Sequence, residues 1–354
     1  MAAPFLKNFP RKEGKISRML LTSAYAYDII NAEIQKTRKS MEATVEKKNE
    51  QKIDFRPITW RDRALYEEYF PDGVTRGCEF SFANVYLWGR QNLAVLDGHL
   101  VLFSHFDRRS VYPYPVGTGD KRAVLDAIIA DSQARGISCR LTGLSAQARQ
   151  TVEQLYPDRF SFYCDEGTFD YVYDINDLAD LPGKKYHAKR NHIARFYEAC
   201  PDAVAEPLDA SNREAAHAMV LEWYARRERE NPQGDYHLEK EAMEKAFRHF
   251  EDIGMEGLVL RHGEEILAIT MGNRFGEDTV DVNFEKARTD IPGAYTAINQ
   301  AFARYLREKY PEVCYLDREE DMGIEGLRRA KRSYYPHHRI EKCWACLKED
   351  GYDD

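Results

Sequence analysis

Apolar positions along the chain fall into two successions of the same elements. From Phe55 onward the pattern becomes periodic. Thr59 is placed to cap a short helix carrying Leu65 and Phe70. SFANVYLWG is aromatic-rich and reads as buried. LAVLDGHLVLF carries apolar runs on both sides of Asp97-Gly98, the residue pair favoured by a type I′ turn, and predicts a hairpin. Asp120 caps a helix with Val124, Ala127, Ile128 and Asp131 on one face, stopped by Gly136. A strand over Ile137 to Thr142, a helix from Ser145 to Leu155 and a strand over Phe160 to Tyr163 follow. The second succession opens at Ser211-Asn-Arg-Glu214, read as a capping box. Its helix runs through Ala215, Met219 and Trp223, and the next carries Leu238, Ala242, Ala246 and Phe250. GLVLRHGEEILAITMG predicts a hairpin turning at His262-Gly263. TVDVNF, a helix from Gly293, VCYLD, a helix over Ile324 to Arg332 and one closing strand over His338 to Leu347 complete the order.

Hairpin, helix, strand, helix and strand therefore occur twice, a repeat of elements with no repeat of residues. This predicts two similar α/β lobes of mixed sheets flanked by helices. The expected boundaries are residues 1–50 as a weakly ordered extension, 51–180 and 201–354 as the lobes, and 181–200 as a basic linking helix after Pro182-Gly183. Met41 is an alternative start. The N-terminal basic residues and MLLTSAYA resemble a signal peptide only in outline, because the apolar part is short and broken by Thr22 and Ser23.

Composition narrows the functional classes. A chain of 354 residues is long enough for two domains. Its net charge of −8 argues against a general nucleic-acid binder, which needs a basic footprint, and no DNA partner is expected. No apolar run reaches the length of a membrane helix. The seven cysteines are scattered, which suits a reducing, cytoplasmic setting without a disulfide framework. Cys343 and Cys346 form a lone CxxC with no second pair, so they are expected to pack in the terminal strand and not to hold zinc. No HExxH, GxSxG, phosphate-binding P-loop or dinucleotide fingerprint is present, and no metal is expected.

The chemistry concentrates between Asp281 and Pro336. Two strands there end in ionisable clusters, and ligands of open α/β sheets bind at such strand ends. Glu285 ends one strand. Asp317, Arg318, Glu319, Glu320 and Asp321 end the other, where a carboxylate facing a crevice can accept a proton from an attacking amine. A charge run is equally well a solvated face. Gly293, with Arg288 upstream, offers backbone N–H groups to an anion, or it simply starts a helix after Pro292. Arg328, Arg329, Lys331 and Arg332 make one basic stripe. Lys184, Lys185, Lys189, Arg190 and Arg195, with Asn191 among them, make a second. Each is either a phosphate-binding surface or an ordinary solvated helix face.

SFANVYLW, LPGKKYHAKRNHIARF, FEKARTDIPGAYTAINQAFA and LDREEDMGIEGLRRAKRSYYP together resemble motifs of a bacterial family. That family is related to the C-terminal domain of phosphatidylglycerol lysyltransferase. The likeness covers roughly Asp54 to Leu347. It implies two tandem GNAT-like lobes, the acyl-CoA N-acyltransferase fold, as in transferases that pass an amino acid from aminoacyl-tRNA to a lipid head group or a peptidoglycan precursor. It further implies Tyr334, with Tyr335 beside it, as the proton donor and Glu285 as the base; Glu319 and Glu320, from the acidic run after the strand, join them as the expected catalytic residues. From the basic stripes and the Gly293 turn, Lys185, Lys189, Arg190, Asn191, Arg288, Gly293, Arg318 and Lys331 are the expected substrate-binding residues. The implied partners are tRNA and an anionic lipid head group or nucleotide-sugar precursor. Two alternatives stand beside this: an acyl-CoA-dependent N-acyltransferase, and a binding protein that kept the fold without the reaction.

Overall fold

The computed structural model describes residues 52–70, 77–88, 90–106 and 109–348. The expected N-terminal extension lies outside the described residues. From Ile53 the chain forms one compact unit containing two mixed sheets flanked by helices, the tandem GNAT-like arrangement. In chain order the strands are β1 (Arg56–Pro57), β2 (Gln91–Leu96), β3 (His99–Phe106), β4 (Arg109–Pro113), β5 (Val116–Gly117), β6 (Arg140–Leu144), β7 (Phe160–Tyr163) and β8 (Asp170–Asp174). They continue as β9 (Val204–Pro207), β10 (Met255–His262), β11 (Glu265–Arg274), β12 (Thr279–Ala287), β13 (Tyr315–Asp317), β14 (His338–Ile340) and β15 (Cys343–Leu347). One sheet is ordered β1-β2-β3-β4-β6-β15-β7, with β5 on β3. The other is ordered β14-β8-β13-β12-β11-β10-β9.

The helices are α1 (Arg63–Glu68), α2 (Phe82–Leu87), α3 (Lys121–Arg135), α4 (Ala146–Leu155), α5 (Ile175–Asp180), α6 (His187–Ala199), α7 (Arg213–Glu230), α8 (His237–Arg248), α9 (Ala294–Lys309) and α10 (Glu325–Arg332). Local signals placed many of these correctly. Asp120 accepts from the N–H of Arg122 and Ala123, and Gly136 closes α3 in the left-handed region. Ser145 accepts from Ala148 N–H at the start of α4. Asp97 and Gly98 both have positive φ, as the β2–β3 turn requires.

Three expectations are corrected. Asn212, not Ser211, is the N-cap of α7. The Asp209 carboxylate takes both the N–H and the hydroxyl of Ser211, so Ser211 is spent on a turn and cannot cap. The closing strand is two strands in two sheets: β14 pairs with β8, while β15 inserts between β6 and β7. Cys343 forms a disulfide with Cys164, 179 positions away, where no disulfide was expected. Cys346 stays free. No helix among the described residues is long and apolar enough to cross a membrane.

Each sheet contains one parallel junction, β4 with β6 and β12 with β13. The second is short. Pairing of β12 with β13 spans Thr279 to Asp281 and stops at Asp317, while β12 continues to Ala287. The two strands part there, and the later residues of β12 face the polypeptide leaving β13.

Candidate functional site at the parting of two strands

Arg318, the first residue after β13, reaches back across the opening. Its Nη2 lies 3.0 Å from Glu285 Oε1 on β12. The guanidinium also packs 5.1 Å from the Tyr334 ring and 5.8 Å from the Tyr173 ring. Lys189, from α6, places its ammonium 3.6 Å from the Tyr334 ring centre and 2.7 Å from Ser333 Oγ. Helix α9 contributes Asn299, which donates to Glu285 at 3.3 Å, and Thr296, which hydrogen-bonds Tyr334. Burial pushes the Tyr334 phenol upward, so it keeps its proton at neutral pH. Burial, reinforced by Arg318, lowers Lys189 to about 8. Glu285, Arg318, Tyr334 and Lys189 therefore form one constellation.

Glu319 and Glu320 turn the other way. Glu319 has a positive φ, and its carboxyl accepts from Asn84 Nδ2 at 2.9 Å. Asn84 lies on α2, so this bond joins the two sheets' neighbourhoods. The same amide donates to Asp281 at 3.1 Å, and Asn283 donates to Asp281 at 3.0 Å. Asp281 is the cross-strand neighbour of Asp317, and both are fully buried. Like charges opposite one another in a sheet repel, and burial adds to the cost. Burial first, and the neighbouring acids second, hold both carboxyls well above the usual carboxylate range. Burial likewise raises Glu319 and lifts Glu320 to about 7.

Lys342 supplies the opposing charge. Its Nζ lies 2.8 Å from Asp170, 2.9 Å from Glu79 and 3.5 Å from Glu320. Cys78, Glu79 and Asp170 are close enough to hold a metal ion, but the ammonium already sits among them, 3.7 Å from Cys78 Sγ. A cation bound there would have to displace it. Lys331 lies between the two groups. Its ammonium donates to the Arg318 carbonyl, and burial lowers its pKa.

The remaining residues singled out from sequence lie elsewhere. Lys185 pairs with Asp177 at 3.0 Å. Arg190 donates to the Leu181 and Gly183 carbonyls, tying α6 to the end of α5. Asn191 bonds His187, and Arg288 pairs with Glu265 and Asp290. Gly293 is at φ 79°, and a Cβ there would sit 1.9 Å from the His192 carbonyl oxygen. Its close approach is to α6. Thr296 and Asn299, further along α9, are what reach the site.

Sequence reasoning missed Asn84, Asp170, Asp281, Asn283 and Lys342. A signal existed for two of them: Asp281 is the one acid inside the run TVDVNF, and Asp170 stands between Phe169 and Tyr171 at the start of DYVYD.

A family model described as "Phosphatidylglycerol lysyltransferase, C-terminal" matches residues 73–346. A conserved protein of unknown function from Bacteroides thetaiotaomicron is 37% identical, with 84% of this chain and 100% of that one covered at a TM-score of 0.77. L-PGS from Bacillus licheniformis is 15% identical, covering 82% and 93% at a TM-score of 0.59. FemX is 10% identical, covering 84% and 98% at 0.53. At such identities the last two speak for the fold alone. No curated protein matches the chain.

Proposed function

This chain belongs to the phosphatidylglycerol lysyltransferase C-terminal family, and from that premise we propose that it transfers an aminoacyl group from aminoacyl-tRNA to a lipid head group or cell-wall precursor. The fold is of the aminoacyl- or acyltransferase type. The observation that carries the finer reading is Arg318 crossing the parted strands to Glu285, with Tyr334 and Lys189 stacked on the same spot. A solvated acidic face would leave these groups open. Instead the Glu285 and Arg318 side chains are only 14% and 16% exposed.

In this reading the acceptor hydroxyl or amine attacks the ester carbonyl and gives its proton to Glu285. Arg318 and Lys189 stabilise the negative charge that develops on the carbonyl oxygen. As the bond to the donor breaks, Tyr334 protonates the departing oxygen. Glu285 then returns a proton to Tyr334, restoring both groups. Glu319 and Glu320 form the acidic wall beyond Lys331, and Glu320, near 7, is the second base to test. We place the site in the C-terminal lobe beside the linking helix. The acyl-CoA alternative draws on the Arg288 to Ala294 loop and stays the second reading; the Cα of Gly293 in that loop packs against the His192 carbonyl.

The test is transfer of labelled amino acids from charged tRNAs to candidate acceptors, using the parent and the variants Glu285→Gln, Glu320→Gln and Tyr334→Phe. Loss of at least about a hundredfold is expected where a proton-transfer group is removed. Consumption of coenzyme A thioesters, with no transfer from any charged tRNA, would overturn the aminoacyl reading.

A further inference from the structure

We propose that Lys189 is a nucleophile, which the protein acylates on itself when an activated acyl donor meets no acceptor. The proposal rests on the transfer site described above and gives the acyl group a second fate there. Lys189 lies in the first turn of α6, with its ammonium 3.6 Å from the centre of the Tyr334 ring. The Arg318 guanidinium is 5.1 Å from the same ring, so two cations share one aromatic side chain. Arginine cannot give up its proton, whereas lysine can. Ser333 Oγ accepts from Lys189 at 2.7 Å, and no carboxylate pairs with the ammonium among the described residues. Other recessed lysines are arranged differently: Lys286 pairs with Glu239, and Lys342 with Asp170. A desolvated lysine beside a second cation is the setting that frees an amine to attack a carbonyl.

Burial first and Arg318 second, with Glu285 opposing, bring Lys189 down from 10.5 to about 8. At pH 7 about one molecule in ten then carries the free amine, against about one in three thousand for a lysine at its ordinary value. The charged majority is the form that stabilises the oxyanion during transfer. In the uncharged minority, Nζ adds to the ester carbonyl carbon, and the bond from that carbon to the departing oxygen breaks. The nitrogen loses one proton to Glu285, and the departing oxygen gains one from Tyr334. An amine and an ester thus become an amide and an alcohol. The amide stays neutral at any pH near 7, so the site loses one of its two cations. A donor without an acceptor thereby shuts the protein off.

The full chain is incubated with p-nitrophenyl acetate, without tRNA or acceptor, and each acetylated lysine is timed by peptide mass spectrometry from about pH 6 to about pH 10. At pH 7 Lys189 is expected to react at least about tenfold faster than the exposed Lys184 and Lys185. Its rate should level off above about pH 8. Lys121 is the control for burial alone: burial lowers it to about 8 as well, but its ammonium donates to the Pro115 carbonyl over the Tyr114 ring, outside the site. Arg318→Met removes the second cation, so it should slow Lys189 at pH 7 and move the levelling-off to higher pH, with thermal unfolding checking that the variant folds. Equal rates at Lys184, Lys185 and Lys189 in the parent, or a Lys189 rate still climbing at the highest pH, overturn the proposal. So does Lys121 reacting as fast as Lys189, because burial would then suffice. No aminoacyl-tRNA is used, so self-acylation and transfer can each fail alone.

Discussion

Replacing Lys342 with methionine removes one positive charge from a site holding Asp170, Glu79 and Glu320 within 3.5 Å. The lysine side chain is 7% exposed and that of Asp170 is fully buried. Breaking a buried pair on one side costs about 3–5 kcal/mol, because a desolvated charge is left without its partner. The orphaned carboxyls can limit this cost by binding protons. Burial already raises Glu79 and Glu320 in the parent, and loss of the ammonium raises them further. A carboxyl whose folded pKa exceeds its unfolded pKa binds more protons when folded. Stability therefore falls as pH rises through that window. For one extra proton, the deficit of the variant changes by about 1.4 kcal/mol per pH unit. Urea unfolding of parent and Lys342→Met at about pH 8, 7 and 6 measures this. A deficit near 4 kcal/mol at the highest pH, shrinking by about 2 or more at the lowest, is expected. A deficit below about 1 kcal/mol, or one that does not change with pH, would refute the argument that Lys342 neutralises buried carboxylates.

Three further outcomes follow from the geometry. Glu320 is raised from 4.5 to about 7, so its contribution to stability falls as pH rises across that interval. Glu320→Gln should flatten that part of the thermal-stability profile, read by calorimetry. Asp321 is lowered because Arg328, Tyr171 and Gly323 N–H outweigh the effect of its burial. Its stabilisation is present above the ordinary aspartate range and lost as pH falls through the lowered pKa. Asp321→Asn should cost about 3 kcal/mol at neutral pH, and progressively less in acid, by denaturant titration. Gly293→Ala must meet the His192 carbonyl as well as a left-handed backbone, whereas Gly276, at φ 82°, has nothing within 4 Å of an added Cβ. Gly276→Ala should cost about 1–2 kcal/mol and Gly293→Ala clearly more, with equal losses counting against the close contact.

What the sequence made legible was local. Asp120, Gly136, Ser145 and the Asp97-Gly98 turn act on backbone groups a few residues away, so their effects are written beside them. The Ser211 error was also local: two competing turn chemistries overlap, and Asp209 wins. The site was legible in part. Residues 317–321 were recognised as a cluster at a strand end, but alternate members face different ways. Arg318 goes to Glu285 and Glu319 to Asn84, 235 positions earlier. Lys342 with Asp170, and Cys164 with Cys343, are likewise set by how the sheets assemble. Nothing in the spacing of residues encodes such meetings.

The placement of β15 has a consequence for how the protein is made. A ribosome releases Arg140–Leu144 and Phe160–Tyr163 long before Cys343–Leu347, the strand that lies between them. The earlier half must then wait with an unfilled slot, its hydrogen-bonding groups and apolar floor uncovered, until residues 343–347 have been made. Vectorial synthesis, which lets many tandem proteins finish one module before starting the next, gives this one no such advantage.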